Sequence, residues 1–285
     1  FQRDGRRYLT GKSNTFRTIL SVSLFLGCLG FTRNLVFSCA AAVAAQLLGL
    51  ALFNFSVIGE LAGVDWERRP GKCGLLFKEN VLLFLSVLMD FYIFSAAKYA
   101  IEGNMADKYQ ALFGAIFMPT SVINLVAGFV IRPYITRLSI QWESGKLKDF
   151  AGVVRQLSAI IAGLTALAMG GAWLLGIPVL NLLYPKLAYL LVSCRAPLLL
   201  IILGGACNAY VNLFYYALII MHRQRVIFGG YILVSALAAV ISSPCVRAAG
   251  ILGGAASYLA LMAALAACFG CMAFSVYRKR RKRIC

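Results

Sequence analysis

The sequence predicts an all-α protein, a polytopic bundle of membrane-spanning helices. Three observations carry this. The 285 residues are 61% hydrophobic and only 13% charged, more apolar side chain than a soluble domain of this length can bury. The apolar residues fall into eight blocks, near residues 15–31, 35–59, 75–100, 109–131, 150–175, 190–220, 226–246 and 250–276. A run of about 20 apolar residues is enough for a helix to cross a bilayer. Finally, Lys and Arg alternate between the gaps: 22 fall in one set of gaps and ends, six in the other. This is the positive-inside pattern, and it predicts that both ends of the chain are cytoplasmic. The net charge of +18 is thereby a topology signal, and no nucleic-acid partner is expected.

Taken in order, the basic lead "FQRDGRRYLTGK" enters the first span, and "FTRNL" turns the chain into the second at Arg33. Residues 60–74 ("ELAGVDWERRPGKCG") form the clearest boundary, because Pro70, Gly71 and Gly74 are expected to break a helix. Six spans follow. Pro119, Pro178, Pro197 and Pro244 sit in or beside them, where Pro kinks helices. Gly170–Gly171, Gly204–Gly205 and Gly253–Gly254 offer close backbone approach. "LLGIPVLNLLYPK" after the fifth span reads as a broken or re-entrant end, and "MHRQRVIFGGY" leads into the seventh much as "FQRDGRRYLTGK" leads into the first. "CVRAAGIL" then repeats the single-Arg turn at Arg247. If this marks two similar halves, the six spans of residues 75–277 are one complete half, and residues 1–60 are the last third of the other. The chain opens on Phe1 in the middle of a basic stretch and reads as a fragment. The absent part is expected to be on the order of 150 residues and four helices. The end "RKRRKRIC", residues 278–285, is expected to rest on anionic headgroups as a cytoplasmic tail.

Several motifs fail. "LTGKS" imitates the end of a phosphate-binding loop, but Arg6 stands where the pattern needs Gly and no strand precedes it. "NFS" at 54–56 lies at the end of an apolar span on the inner side. Cys268 and Cys271 form a lone C-x-x-C on an apolar helix, and Cys285 lacks the three residues a prenylation signal requires after it. His222, the only histidine, falls in a turn, and no paired carboxylates share a membrane surface. No enzyme activity, metal site or cofactor is expected.

Charged and polar residues inside the spans are the candidates that remain. In "VLMDFYIFSAAKYAIE" (87–102), Asp90 lies about 22 Å deep and Lys98 near the outer headgroups. Lys98 either snorkels outward or lines a transport path. Asp90 is too short to snorkel, and a charge at mid-membrane costs roughly 2.5–3.5 kcal/mol on insertion scales. It must therefore face protein, as a helix-to-helix contact, or a hydrated path. Thr120, Asn124 and Gly128 form one polar stripe at helical spacing, and Gly204, Asn208, Asn212 and Tyr216 form another. Such stripes either pack helices together or line a cavity. Arg132, before Pro133, is an inner-end anchor or, together with Lys98, a contact for lipid phosphates.

"FQRDGRRYLTGKS", "FTRNL", "AAKYAIE", "FGAIFMPTSVINLVAGFVIRPYITRLSIQW" and "YYALIIMHRQRVIFGGY" resemble the bacterial oligosaccharide flippases of the multidrug/oligosaccharidyl-lipid/polysaccharide exporter superfamily, most specifically over residues 95–142. The resemblance implies a MATE-like two-lobe transporter fold, here truncated, with residues 61–74 as the cytoplasmic inter-lobe loop. It also implies a bacterial inner-membrane location and alternating-access transport of a polyprenyl-diphosphate-linked oligosaccharide in cell-surface polysaccharide and lipopolysaccharide biosynthesis. Basic cavity residues meeting the diphosphate is the family expectation, and Lys98 falls in its "KYAI" position. Asp90 and Arg132 depart from the pattern, where a small polar residue and an amide are expected. The alternative reading is a cation-coupled drug or metabolite antiporter of the same architecture.

Overall fold

The computed structural model of the chain describes the backbone of residues 7–60 and 70–284, and the side chains of residues 15–51 and 81–282. Among these residues all regular structure is helical, with no strand. Six helices are long and apolar enough to cross a membrane, and Leu35–Ala51 is a shorter apolar helical stretch. The chain divides into two compact units, Phe1–Pro70 and Gly71–Cys285.

The first unit is a helical hairpin of α1 (Arg7–Thr32) and α2 (Leu35–Glu60). Its turn follows from "TRN". Arg33 takes the left-handed conformation at φ 49, and the Asn34 side-chain oxygen accepts from the backbone N–H groups of Val36 (3.0 Å) and Phe37 (3.3 Å). That satisfies donors which α2 leaves free at its start. Across the hairpin, the Ser21 hydroxyl donates to the Ala42 carbonyl at 3.1 Å, and the Arg17 guanidinium donates to Gln46 Oε1 at 3.3 Å. Arg17 can lie there because Gly49 has no side chain: a Cβ at that position would come within 2.7 Å of Arg17 Cγ.

The second unit comprises α3 (Pro70–Asn104), α4 (Asp107–Glu143), α5 (Leu147–Leu183), the short α6 (Ala188–Leu191), α7 (Arg195–Ile220) and α8 (Gln224–Ile284). One-turn 3-10 helices, Pro185–Leu187 and Val192–Cys194, flank α6. The expected irregular stretch after the fifth span is thus this broken connection, and it begins only after Leu183. α8 is two helical runs joined at Ala249 (φ −135) and Gly250 (φ 56, ψ −130). Only glycine adopts the latter pair easily. At Gly253 a Cβ would collide with the Cys245 carbonyl of the preceding run.

α7 is the hub and packs against α8, α4 and α5. Two apolar clusters lie along it. One joins α3, α4, α7 and both runs of α8 through Ile93, Phe117, Ile201, Tyr231, Tyr258 and Phe269. The other joins the far end of α4 to α5 and α7 through Ile131, Leu138, Trp142, Phe150, Leu157 and Leu213. The remaining surface is apolar to a degree water does not tolerate, with Leu167, Leu182 and Val240 each at least 70% exposed. Lipid is the solvent that suits such a surface. A multi-pass membrane protein accounts for it.

Helices overrun the apolar blocks. α4 continues past residue 131 to Glu143 because Leu138 and Trp142 recur on one face and bury against Leu147 and Phe150 of α5. The basic stretch 132–155 is accordingly two helix ends around a tight turn at Ser144–Lys146 instead of a loop. α3 begins at Pro70, a residue that a first helical position accepts. Of the expected inter-lobe loop, residues 61–69 lie outside the described residues, as do Cys285 and the opening six residues; the side chains of "LTGKS" and "NFS" do too. The basic end is helical as far as Ile284.

Candidate functional site

Polar groups in the interior of the second unit gather on α3, α7 and α8. Asp90, half-buried on α3, interacts with the Tyr231 side chain of α8. Tyr215 of α7 and Tyr258 of the second α8 run stand within electrostatic range of the same carboxylate. Tyrosines from three helical runs thus interact with this intramembrane carboxylate.

Lys98 is two turns along α3, about 12 Å from Asp90 in helical rise. Its ammonium sits 4.1 Å from the ring centroid of Phe117 on α4 and 5.5 Å from that of Phe94, one turn back on α3. Helical side chains lean toward the N-terminus of their helix, and that tendency carries the ammonium toward Phe94. Phe94, Phe117 and Tyr258 form a tight edge-to-face group, with centroids 5.1, 5.9 and 4.9 Å apart. Phe94 stands one turn from each of Asp90 and Lys98 along α3. Tyr258 is fully buried, its hydroxyl has no hydrogen-bond partner among the described residues, and its ring lies where Gly204 leaves room: a Cβ there would come within 2.6 Å.

The two polar stripes meet each other. The Asn208 amide donates to Asn124 Oδ1 at 3.1 Å, and the buried Thr120 fills the space above Gly205, whose Cβ would come within 2.8 Å of it. Asn212 donates to the Asn208 backbone carbonyl at 3.2 Å within α7. Thr120, Asn124 and Asn208 thus join α4 to α7. Tyr216 packs edge-on to Tyr215 at 5.6 Å and so borders the Asp90 group without facing it. Gly254 gives close approach to Ile101 and Phe113, whereas Gly170 and Gly171 meet nothing within 4 Å; Gly171 lines an apolar groove of about 420 Å³. The expected close approach is therefore present at two glycine pairs and missing at the third.

Arg132 is exposed on α4, 15 residues or about 22 Å of rise beyond Phe117. Lys98, beside Phe117, and Arg132 are thus well separated along the bundle, and Arg132 lies toward its basic end.

Sequence reasoning missed the rings and hydroxyls: Phe94, Phe117, Tyr215, Tyr231 and Tyr258. Phe94 was within reach, because it stands four residues from both Asp90 and Lys98 and so shares a helix face with each. Among the described residues, no group of three or more His, Cys, Asp or Glu is placed to hold a metal ion. No family model, no curated protein and no solved structure matches the chain.

Proposed function

We propose that the chain is the membrane domain of a flippase that moves a polyprenyl-diphosphate-linked oligosaccharide across the bacterial cytoplasmic membrane. In this reading it works by alternating access and serves cell-surface polysaccharide assembly. The observation that carries the proposal is the environment of Lys98. An ammonium inside an apolar span is held by Phe94 and Phe117 and, among the described residues, by no carboxylate. Cation–π contacts are worth about 0.5–2 kcal/mol, less than a charge-assisted bond to phosphate. In this reading a diphosphate arriving at Lys98 displaces no counter-ion of the described residues, and the ammonium returns to the rings when the cargo leaves. The motifs quoted from residues 95–142 support the same cargo class. The eight apolar blocks, with the two runs of α8 as separate crossings, support a transporter lobe of six helices preceded by two.

A cation-coupled antiporter is the second reading, favoured by one observation: the Asp90 carboxylate stands among the hydroxyls of Tyr215, Tyr231 and Tyr258. The deciding experiment places the protein, expressed from its whole native reading frame, in liposomes with a labelled polyprenyl-diphosphate oligosaccharide. An enzyme outside the vesicle modifies only glycan in the outer leaflet. The flippase reading expects the protected half of the label to become accessible faster than in protein-free vesicles. If the rates are equal while an ion gradient drives uptake of organic cations, the antiporter reading replaces it.

A further inference from the structure

The basic end of the second unit holds a cavity of about 490 Å³ that the transport proposal does not use. Three distant stretches meet there: Trp142 near the end of α4, the turn from Met221 to Arg223 between α7 and α8, and the last turns of α8. One wall is apolar, made by buried Trp142 and Met221 with half-buried Val276. Facing it are Arg223, Lys279 and Arg280, with His222 at the turn. Among the described residues, no carboxylate lines this cavity. A neighbouring one of about 420 Å³, on the other side of α8, differs in this respect, because Asp149 accompanies Lys146, Lys148 and Arg281 there.

The cationic wall is held in place. The Arg280 guanidinium lies 4.2 Å from the Trp142 ring centroid, and Trp142 is braced by Phe150 at 5.3 Å. Stacking occupies the guanidinium face and leaves N–H edges free, the arrangement that suits two-point contact with phosphate oxygens. Arg223 is fixed by its turn. His222 adopts φ 56, its N–H donates to the Ile219 carbonyl at 2.9 Å, and the Arg223 N–H donates to the Leu218 carbonyl at 3.0 Å. This is a Schellman-type helix end in which a non-glycine residue takes the left-handed position.

We infer that this cavity binds the phosphate headgroup of an anionic phospholipid. Three cations, with no carboxylate among the described lining residues, call for an anion. The apolar wall beside them calls for an anion attached to hydrocarbon, which free phosphate is not. Basic pockets between helices at the cytoplasmic end of a bundle are suited to lipid headgroups, and the Lys/Arg asymmetry assigns this end to the cytoplasm. The inference holds whichever cargo crosses the membrane.

The test titrates the purified protein in detergent with phosphatidylglycerol or phosphatidylcholine and counts retained lipid by native mass spectrometry. Wild type is expected to retain phosphatidylglycerol in preference. Loss of two charge-assisted contacts in Arg223→Ala/Arg280→Ala is expected to weaken retention by about tenfold or more. Arg281→Ala, which removes the same kind of charge from the neighbouring cavity, is expected to bind as wild type. Arg280→Lys keeps the charge without the fork and is expected to fall between wild type and the double variant, which covers the case in which that variant misfolds. If Arg281→Ala loses as much binding as the double variant, the basic end attracts lipid diffusely and the inference fails. It fails equally if both lipids are retained alike. Displacement of phosphatidylglycerol by millimolar inorganic phosphate would overturn the lipid assignment in favour of a free anion.

Discussion

The side-chain amide of Asn208 on α7 donates to the side-chain oxygen of Asn124 on α4 at 3.1 Å, one turn from the place where Thr120 packs over Gly205. Where the two stripes of small and polar residues meet, at Thr120, Asn124 and Asn208, they join helices. Interhelical hydrogen bonds in membranes average well under their vacuum strength, so a coupling of about 0.5–1.5 kcal/mol is expected between Asn124→Ala and Asn208→Ala. A double-mutant cycle on unfolding in bilayer or micelle measures it. Fully additive losses would contradict the pairing.

Gly204→Ala places a methyl group within 2.6 Å of the Tyr258 ring, which is fully buried and has no room to retreat. Overpacking of this kind is expected to destabilise the protein by about 1–3 kcal/mol. Gly170→Ala, in open space, is expected to leave thermal stability unchanged or slightly raised. Thermal unfolding of the two variants side by side tests the contrast.

Tyr258→Phe removes a buried hydroxyl that has no hydrogen-bond partner. The ring contacts with Phe94 and Phe117 persist in the variant. An unpaired buried polar group costs about 1–3 kcal/mol, so the variant is expected to be as stable as wild type or more so. A clear loss of stability would show that the hydroxyl has a partner, with Asp90 the nearest candidate.

Asp90→Asn keeps the shape and removes the charge. Because a carboxylate within a span carries a penalty of up to about 3 kcal/mol, the variant is expected to be more stable, and to transport more slowly if Asp90 belongs to the path. Unfolding and transport measured on the same preparation check both halves. Lower stability together with unchanged transport would make Asp90 a purely structural contact held by Tyr231.

Much of the helical layout was legible in the sequence because hydrophobic blocks and charge asymmetry are local signals. The polar face of α7 was legible too, since Gly204, Asn208, Asn212 and Tyr216 recur at every fourth position. What those residues touch was not. Asn208 meets Asn124, 84 positions earlier in the chain, and periodicity gives the direction of a side chain without naming the neighbour. The same limit hid the aromatic seat of Lys98, where Phe117 comes from another helix. The overrun of α4 to Glu143 escaped because charged Arg132 and Arg137 mark the end of an apolar block, while Leu138 and Trp142 still extend the buried face. Gly170 and Gly171 show the converse: a small-residue pair permits close approach without bringing a partner to it.

The most direct test of the transport proposal compares wild type, Lys98→Ala and Lys98→Arg in the liposome leaflet assay with the labelled polyprenyl-diphosphate oligosaccharide. If the ammonium on Phe94 and Phe117 receives the diphosphate, Lys98→Ala slows equilibration by about tenfold or more, and Lys98→Arg, which keeps charge and ring contact, retains most of the rate. Equilibration by Lys98→Ala at the wild-type rate would contradict the account and return Lys98 to a residue that merely anchors α3 in its aromatic seat.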